Sequence, residues 1–245
     1  MPSSLLPSLL ACIDHTTLNA TDSDASVAAF CRKALSLHTP QAPHVAAVCV
    51  YPRFVAVAKQ ALAGSPIRVA AVAGAFPHGQ LPLHLKVDEV AYAVSQGADE
   101  IDIVINRGAL LAGDDRQVSN EITAMRQACH ARTLKVIVET CDLPTPSLIR
   151  HATELAINAG ADFVKTSTGK GSAGATTEGA AAMLAAIADH RSATGRTVGF
   201  KAAGAIRTPE QALLFAQQAS DIMGPSYIHP LTFRIGASSL TPSLL

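Results

Sequence analysis

Excess charge of either sign is missing from this chain. Lys and Arg number 19, Asp and Glu number 19, and the formal net charge is zero. No global field is available to recruit nucleic acid or an anionic membrane, so any anion must be bound by local groups. Also missing is an apolar run of the ~18 uncharged residues that a membrane-crossing helix needs. The start, MPSSLLPSLLACIDHTTL, has no basic n-region of the kind that opens a secretory signal. A soluble, cytoplasmic protein is expected. Its five cysteines, Cys12, Cys31, Cys49, Cys129 and Cys141, are scattered with no CxxC pair. The histidines form neither HExxH nor HxH. Reduced thiols are therefore expected, with no disulfide framework, no structural or catalytic metal and no cofactor. No GxGxxG follows the first apolar stretch, and no Pro/Ser-rich linker divides the chain.

What is present is apolar material, 49% of 245 residues against 16% charged, enough for a sizeable core. It falls into eight short stretches that read as strands: Leu9 to His15, Val45 to Tyr51, Ile67 to Ala75, Asp99 to Ile105, Leu134 to Thr140, Asp162 to Thr166, Thr197 to Ala202 and Thr232 to Ile235. Amphipathic segments alternate with them: Asp22 to Leu37, Arg53 to Ala63, Leu83 to Gln96, Asp115 to Ala131, Thr145 to Ala159, Thr176 to Ala193 and Pro209 to Gln218, with a short helix from Ser238. Gly97-Ala98-Asp99 and Gly160-Ala161-Asp162 read as one helix-to-strand turn used twice, and Thr208-Pro209 as a cap followed by proline at the first helical position. Eight strands alternating with eight helices predict an α/β fold of the (β/α)8 TIM-barrel type, one domain over residues 1–245, with an open doubly wound sheet as the alternative.

Barrel chemistry gathers at the C-terminal ends of strands, and ionisable residues do collect there. The stretch ADFVKTSTGKG ends its strand on Lys165 and opens into a small-residue loop with Lys170. In EIDIVIN, alternation sends Ile101, Ile103 and Ile105 to one face and Asp102 to the other. Strand seven, VGFKAAG, sets Lys201 opposite Val198 and Phe200. Neighbouring strands lie about 5 Å apart, so Lys165 and Lys201 can stand side by side at the mouth. Repulsion and desolvation then favour a neutral amine able to attack a carbonyl, while Asp102 supplies a counter-charge and a proton-transfer group. Formation of an imine on a lysine is the chemistry such a set can support. Each residue also has a plainer reading. A strand-end lysine is ordinarily solvated, Asp102 can simply pair with a lysine, Cys49 can be a small core residue, and Thr166, Ser167 and Thr168 can be turn formers.

Three loops point to a phosphate: Gly169-Lys170-Gly171, Gly204-Ala205-Ile206-Arg207 and Gly236-Ala237-Ser238-Ser239. The loops after the seventh and eighth barrel strands, with the N-terminus of a short helix, are a recurrent anion site.

The segments IDHTTL, AVCVYPRF, FPHG, GADEIDIVIN, KVIVET, GADFVKTSTGK, GFKAAGAIRT and RIGASSL run in order over almost the whole chain. With them the sequence resembles the 2-deoxyribose-5-phosphate aldolases, class I aldolases. The resemblance implies reversible, metal-free cleavage of 2-deoxy-D-ribose 5-phosphate to D-glyceraldehyde 3-phosphate and acetaldehyde, with imine formation at C1 and the C3–C4 bond expected to break. It implies Lys165 as the Schiff-base nucleophile, Asp102 as the proton donor and acceptor working through a water, and Lys201 as the neighbour that depresses the nucleophile's pKa. It sets Asp14, Thr168, Lys170 and Cys49 at the substrate, and Gly169, Gly204, Ala205, Gly236, Ser238 and Ser239 at the phosphate. Partners are then a small sugar phosphate and aldehydes, no nucleic acid and no membrane, with a homodimer plausible. Three departures stand out. Ala205 replaces a family glycine and would be strained if its φ is positive. Ala75 stands where members carry Asn or Gly. The chain stops at Leu245 without the tyrosine-ended tail some members use, so either slower turnover or another group in the tyrosine's place is expected. Two other readings remain: a related Schiff-base aldolase with a different or non-phosphorylated substrate, and a non-catalytic sugar-phosphate-binding barrel.

Overall fold

The computed structural model describes residues 9–240 and Leu244. Eight parallel strands close on themselves in chain order, β1 pairing with β8. They are β1 Ile13–Thr16, β2 Ala47–Val50, β3 Arg68–Ala73, β4 Glu100–Val104, β5 Thr133–Ile137, β6 Phe163–Lys165, β7 Gly199–Ala203 and β8 Phe233–Ala237. The helices among the described residues are α1 Asp24–Leu35, α2 Val55–Ala61, α3 Leu83–Ser95, α4 Arg107–Leu111, α5 Asp115–Ala128, α6 Pro146–Asn158, α7 Thr177–Thr194 and α8 Pro209–Met223. This is the predicted (β/α)8 barrel, and the open-sheet alternative falls with its closure.

Three local readings change. Leu10–Cys12 forms a 3-10 turn, so the first strand is only Ile13–Thr16. Arg107–Leu111 is a helix that the sequence did not announce, and Asn106 is drawn out of the strand register to cap it, its side chain accepting from the Ala109 N–H. The helix expected from Ser238 is not formed over Ser238–Leu240, where the chain only bends, and positions 241–243 lie outside the described residues.

Alternation along the strands sorts the side chains. Ile101, Ile103, Leu134, Val136, Val164, Phe200, Phe233 and Ile235 pack in the core shared with the helices. That burial is the main stabilising term of the fold. The helices begin where cap residues stand. Ser23 and Thr208 form reciprocal boxes with Ser26 and Gln211, and Asp114, Thr145 and Thr176 accept from the first free N–H groups of α5, α6 and α7. The repeated Gly-Ala-Asp turn is real. Gly97 and Gly160 take φ of 98° and 99°. The carboxylates that follow, Asp99 and Asp162, accept from the backbone N–H groups of Val69 and Leu134 at the starts of β3 and β5. Each turn thus ties the start of its own strand to the preceding strand.

Candidate active site

β4 to β8 and β1 turn seven buried charged side chains into the barrel: Glu100, Asp102, Lys135, Lys165, Lys201, Arg234 and Asp14. Ile137 on β5 is the register partner of Lys165 on β6, Lys165 of Lys201 on β7, and Lys201 of Arg234 on β8, a row that runs obliquely to the barrel axis because barrel strands tilt. Lys165, at 4% exposure, tops this set and alone of the seven lines the cavity above it. Its Nζ donates to Asp102 Oδ2 at 2.9 Å, and Lys201 Nζ donates to the same oxygen at 2.7 Å. Lys135 Nζ takes the other oxygen, Oδ1, at 2.7 Å and reaches Glu100 Oε2 at 2.6 Å. Lys201 also donates to Asp14 Oδ2. Arg234 closes the floor, donating to Asp14 Oδ1 at 2.5 Å and to Glu100 Oε1 at 2.8 Å.

Room for this packing is made by glycine. A Cβ on Gly236 would stand 3.2 Å from Lys201 Cε and 3.1 Å from Ala203 Cβ, so a side chain there would press on the lysine.

Burial and neighbours set the protonation states. For Lys165 desolvation dominates and lowers the pKa, the Lys201 ammonium lowers it further, and Asp102 only partly opposes them. Lys201 is equally buried, but Asp102 and Asp14 outweigh desolvation and hold it above the ordinary lysine value. Lys135 is held up in the same way by Asp102, Asp14 and Glu100. Desolvation would raise the Asp102 carboxyl, yet Lys135, Lys165 and Lys201 hold it well below the usual range. The arrangement gives one amine biased towards the free base beside an ionised carboxylate and a fixed ammonium.

The cavity over Lys165 has a volume of about 220 Å3. Its wall includes Thr168, Gly169, Lys170, Gly204, Ala205, Arg207, Gly236 and Ser238, which brings most of the three small-residue loops together. Thr168 is held from behind by the buried Glu139, which accepts from its N–H at 3.1 Å and from its hydroxyl. Arg107 in turn reaches Glu139 at 3.7 Å and Asp142 at 2.6 Å. Lys170 Nζ donates to the Leu18 carbonyl at 2.7 Å, joining the loop after β6 to the loop after β1 across the mouth. Ala205 does adopt a positive φ, 59°, and Ala75 does too, at 62°.

Three residues expected at the ligand are not on the wall of this cavity. Asp14 is one layer down, spent on Lys201, Arg234 and Lys135. Cys49 points inwards but packs with Leu18, Ala47, Ala70 and Val72, and burial pushes its thiol up to about 11. Ser239 is exposed outside the cavity wall, because the chain bends at Ser238 instead of starting a helix. Conversely, Lys135, Glu100 and Arg234 belong to the assembly without having been singled out. The signal was present, since Glu100 precedes Asp102 by two residues and so shares its inward face, and Lys135 and Arg234 interrupt otherwise apolar strands. A larger hollow of about 590 Å3 lies beside Gly79–Leu83, but its buried acid, Glu121, is already engaged by Lys86, Asn106 and Gln117.

A barrel with a buried amine, a carboxylate and a basic loop cluster at one end of its strands defines the class of lysine-bearing barrel lyases. Residues 8–239 match the profile of the DeoC/LacD family aldolases, and the chain belongs to that family: it is an aldolase. A Caenorhabditis elegans protein provisionally named deoxyribose-phosphate aldolase is 44% identical over 236 residues, 95% of this chain and 78% of the relative. A crystal structure of a Coccidioides immitis protein of the same provisional name superposes with a TM-score of 0.84 at 31% identity, covering 99% of this chain and 87% of the other. The deoxyribose phosphate aldolase of Aeropyrum pernix, described as tetrameric, shares the fold at 24% identity with a TM-score of 0.76, over 97% of this chain and 90% of that one.

Proposed function

We propose that this aldolase reversibly cleaves 2-deoxy-D-ribose 5-phosphate to D-glyceraldehyde 3-phosphate and acetaldehyde through an imine on Lys165. The observation that carries the reading is the one buried amine, among the described residues, that is biased towards its free base and opens to the cavity while it donates to Asp102 Oδ2, the oxygen to which Lys201 also donates. In the forward direction the Lys165 amine adds to C1 of the opened sugar, and loss of water gives an iminium. Acetaldehyde takes C1 and C2, so the bond that breaks is C2–C3, and the expectation of C3–C4 is corrected by atom balance. The C3 hydroxyl gives up its proton, its oxygen becomes the new aldehyde, and the C2–C3 electron pair moves to form a neutral enamine. Protonation at C2 and hydrolysis release acetaldehyde and restore Lys165. Asp102, 2.9 Å from Nζ, is the group that moves protons, reaching carbon through water as the family resemblance implies. Lys201 stays charged and holds the carboxylate in place.

Phosphate recognition rests on the small-residue wall and on Lys170 and Arg207 at the cavity's edge. A non-phosphorylated substrate is a second reading, favoured by one observation: Ala205 sits strained in that wall at φ 59°. Comparing kcat/KM for deoxyribose with and without its phosphate decides between them. A large preference for the phosphate ester supports a working anion site, and a ratio near one supports the second reading. Absence of acetaldehyde release from either sugar, with binding retained, would leave only the non-catalytic barrel.

A further inference from the structure

The barrel interior holds one more base than acid. Among the described residues, Lys135, Lys165, Lys201 and Arg234 face Asp14, Glu100 and Asp102, all buried. Interior charge is tolerated when it is paired, and a surplus is relieved by neutralising one group. Arg234 cannot serve, since a guanidinium does not lose its proton in a protein. The contacts rank the three lysines. Lys135 reaches three carboxylates, Glu100 at 2.6 Å, Asp102 at 2.7 Å and Asp14 at 3.4 Å. Lys201 reaches two, Asp14 and Asp102. Lys165 reaches one, and on an oxygen that Lys201 shares.

We propose that Glu100 and Arg234 are positioning residues for the aldol reaction: from the barrel floor, outside the cavity, they hold Lys135 and Asp14 in place and fix the interior charge so that Lys165 is the lysine left without a proton.

The chain of contacts shows how the floor acts on the mouth. Glu100 spends Oε2 on Lys135, which keeps that ammonium on the Oδ1 side of Asp102 and leaves only Oδ2 for Lys165 and Lys201. Arg234 occupies Asp14 Oδ1, so Asp14 offers Oδ2 to Lys201 and none to Lys165. Around Lys165, β1 brings Asp14, β4 Glu100 and Asp102, β5 Lys135, β7 Lys201 and β8 Arg234, β2 brings only the Cys49 thiol, and β3 brings Ala70 and Val72. Lys170 and Arg207 stand at the solvent-facing edge of the cavity, and Arg68, which meets Glu100 at 3.2 Å, has a side chain 42% exposed. Solvent screens these three far more than it screens the interior seven.

The inference rests on Lys165 acting as an amine, so the test separates the two. The pH dependence of kcat/KM for retro-aldol cleavage is recorded for wild type, Glu100→Gln, Arg234→Met, Arg234→Lys and the Glu100→Gln/Arg234→Met pair. Its acid limb reports loss of the free amine to protonation. Removing the floor carboxylate should move that limb to lower pH by about one unit, and removing the floor cation should move it higher by a similar amount. Arg234→Lys and the paired variant, which keep the charge count, should return it close to wild type. Singles that lower kcat or Tm while the limb stays in place would overturn the proposal, because a merely structural role predicts that pattern. If a single variant does not fold, the paired variant still decides, since a limb displaced from wild type in it contradicts charge balance. Borohydride trapping on the wild-type enzyme separates the causes: no Lys165 adduct defeats the imine reading itself, whereas an adduct with an immobile limb defeats only the role of the floor.

Discussion

On the β2–β3 side the barrel turns Ala47, Cys49, Ala70 and Val72 inwards, whereas from β4 through β8 to β1 it turns in seven charged side chains. The first side is small and apolar and gives the second nothing to pair with. Each charge must therefore find its partner within the charged arc, and the low polarity opposite strengthens those contacts. The charged arc is itself uneven. At the floor Lys135 and Arg234 each reach two or more carboxylates, and at the mouth Lys165 reaches only one, on an oxygen it shares with Lys201. The proposed mechanism places reactivity where pairing runs out.

Replacing the mouth lysine breaks this contrast most completely. Lys165→Met removes the one amine open to the cavity, and turnover of the deoxy sugar phosphate is expected to fall by at least about 10^3-fold, measured by coupled detection of the released aldehyde. Removing its charged neighbour should shift the chemistry before abolishing it. In Lys201→Leu the lowering effect of the second ammonium is lost, so the folded-state pKa of Lys165 rises and the amine is protonated at higher pH. The acid limb of kcat/KM should then move up by about one unit and activity at neutral pH should drop. An unmoved limb would show that the two lysines do not couple.

A smaller effect is expected on the wall. Glu139→Gln keeps the shape but removes the charge that fixes the N–H and hydroxyl of Thr168, so KM should rise about tenfold with kcat less affected, as separate fits of the two parameters would show. The smallest change relieves strain. Ala205→Gly, at φ 59°, should raise stability by about 1 kcal/mol in denaturant unfolding and improve KM for the phosphorylated substrate but not for the free sugar.

Much of this was legible in the residues. The eight apolar stretches, the doubled Gly-Ala-Asp turn and the cap at Thr208 follow from local chemistry, and local chemistry places the strands. Lys165, Asp102 and Lys201 were readable because alternation within a strand gives the inward face and adjacency of β6 and β7 brings the lysines level. What could not be read was the pairing across the barrel. Asp14 and Arg234, 220 positions apart, meet only after β1 joins β8, and Lys135 reaches Glu100 and Asp102 only in the register that closure selects. Attention to strand ends alone also hid the floor, where Glu100 and Arg234 lie. The EIDIVIN pattern also runs on past the end of β4 at Val104 to Asn106, which instead caps α4.

The most direct test of the account is reductive trapping. Incubation with 2-deoxy-D-ribose 5-phosphate and borohydride, followed by digestion and peptide mass measurement, should give one stoichiometric adduct on the peptide carrying Lys165, with Lys135 and Lys201 unmodified. An unmodified Lys165 in an enzyme that still releases acetaldehyde, or an adduct on Lys201 in its place, would contradict it.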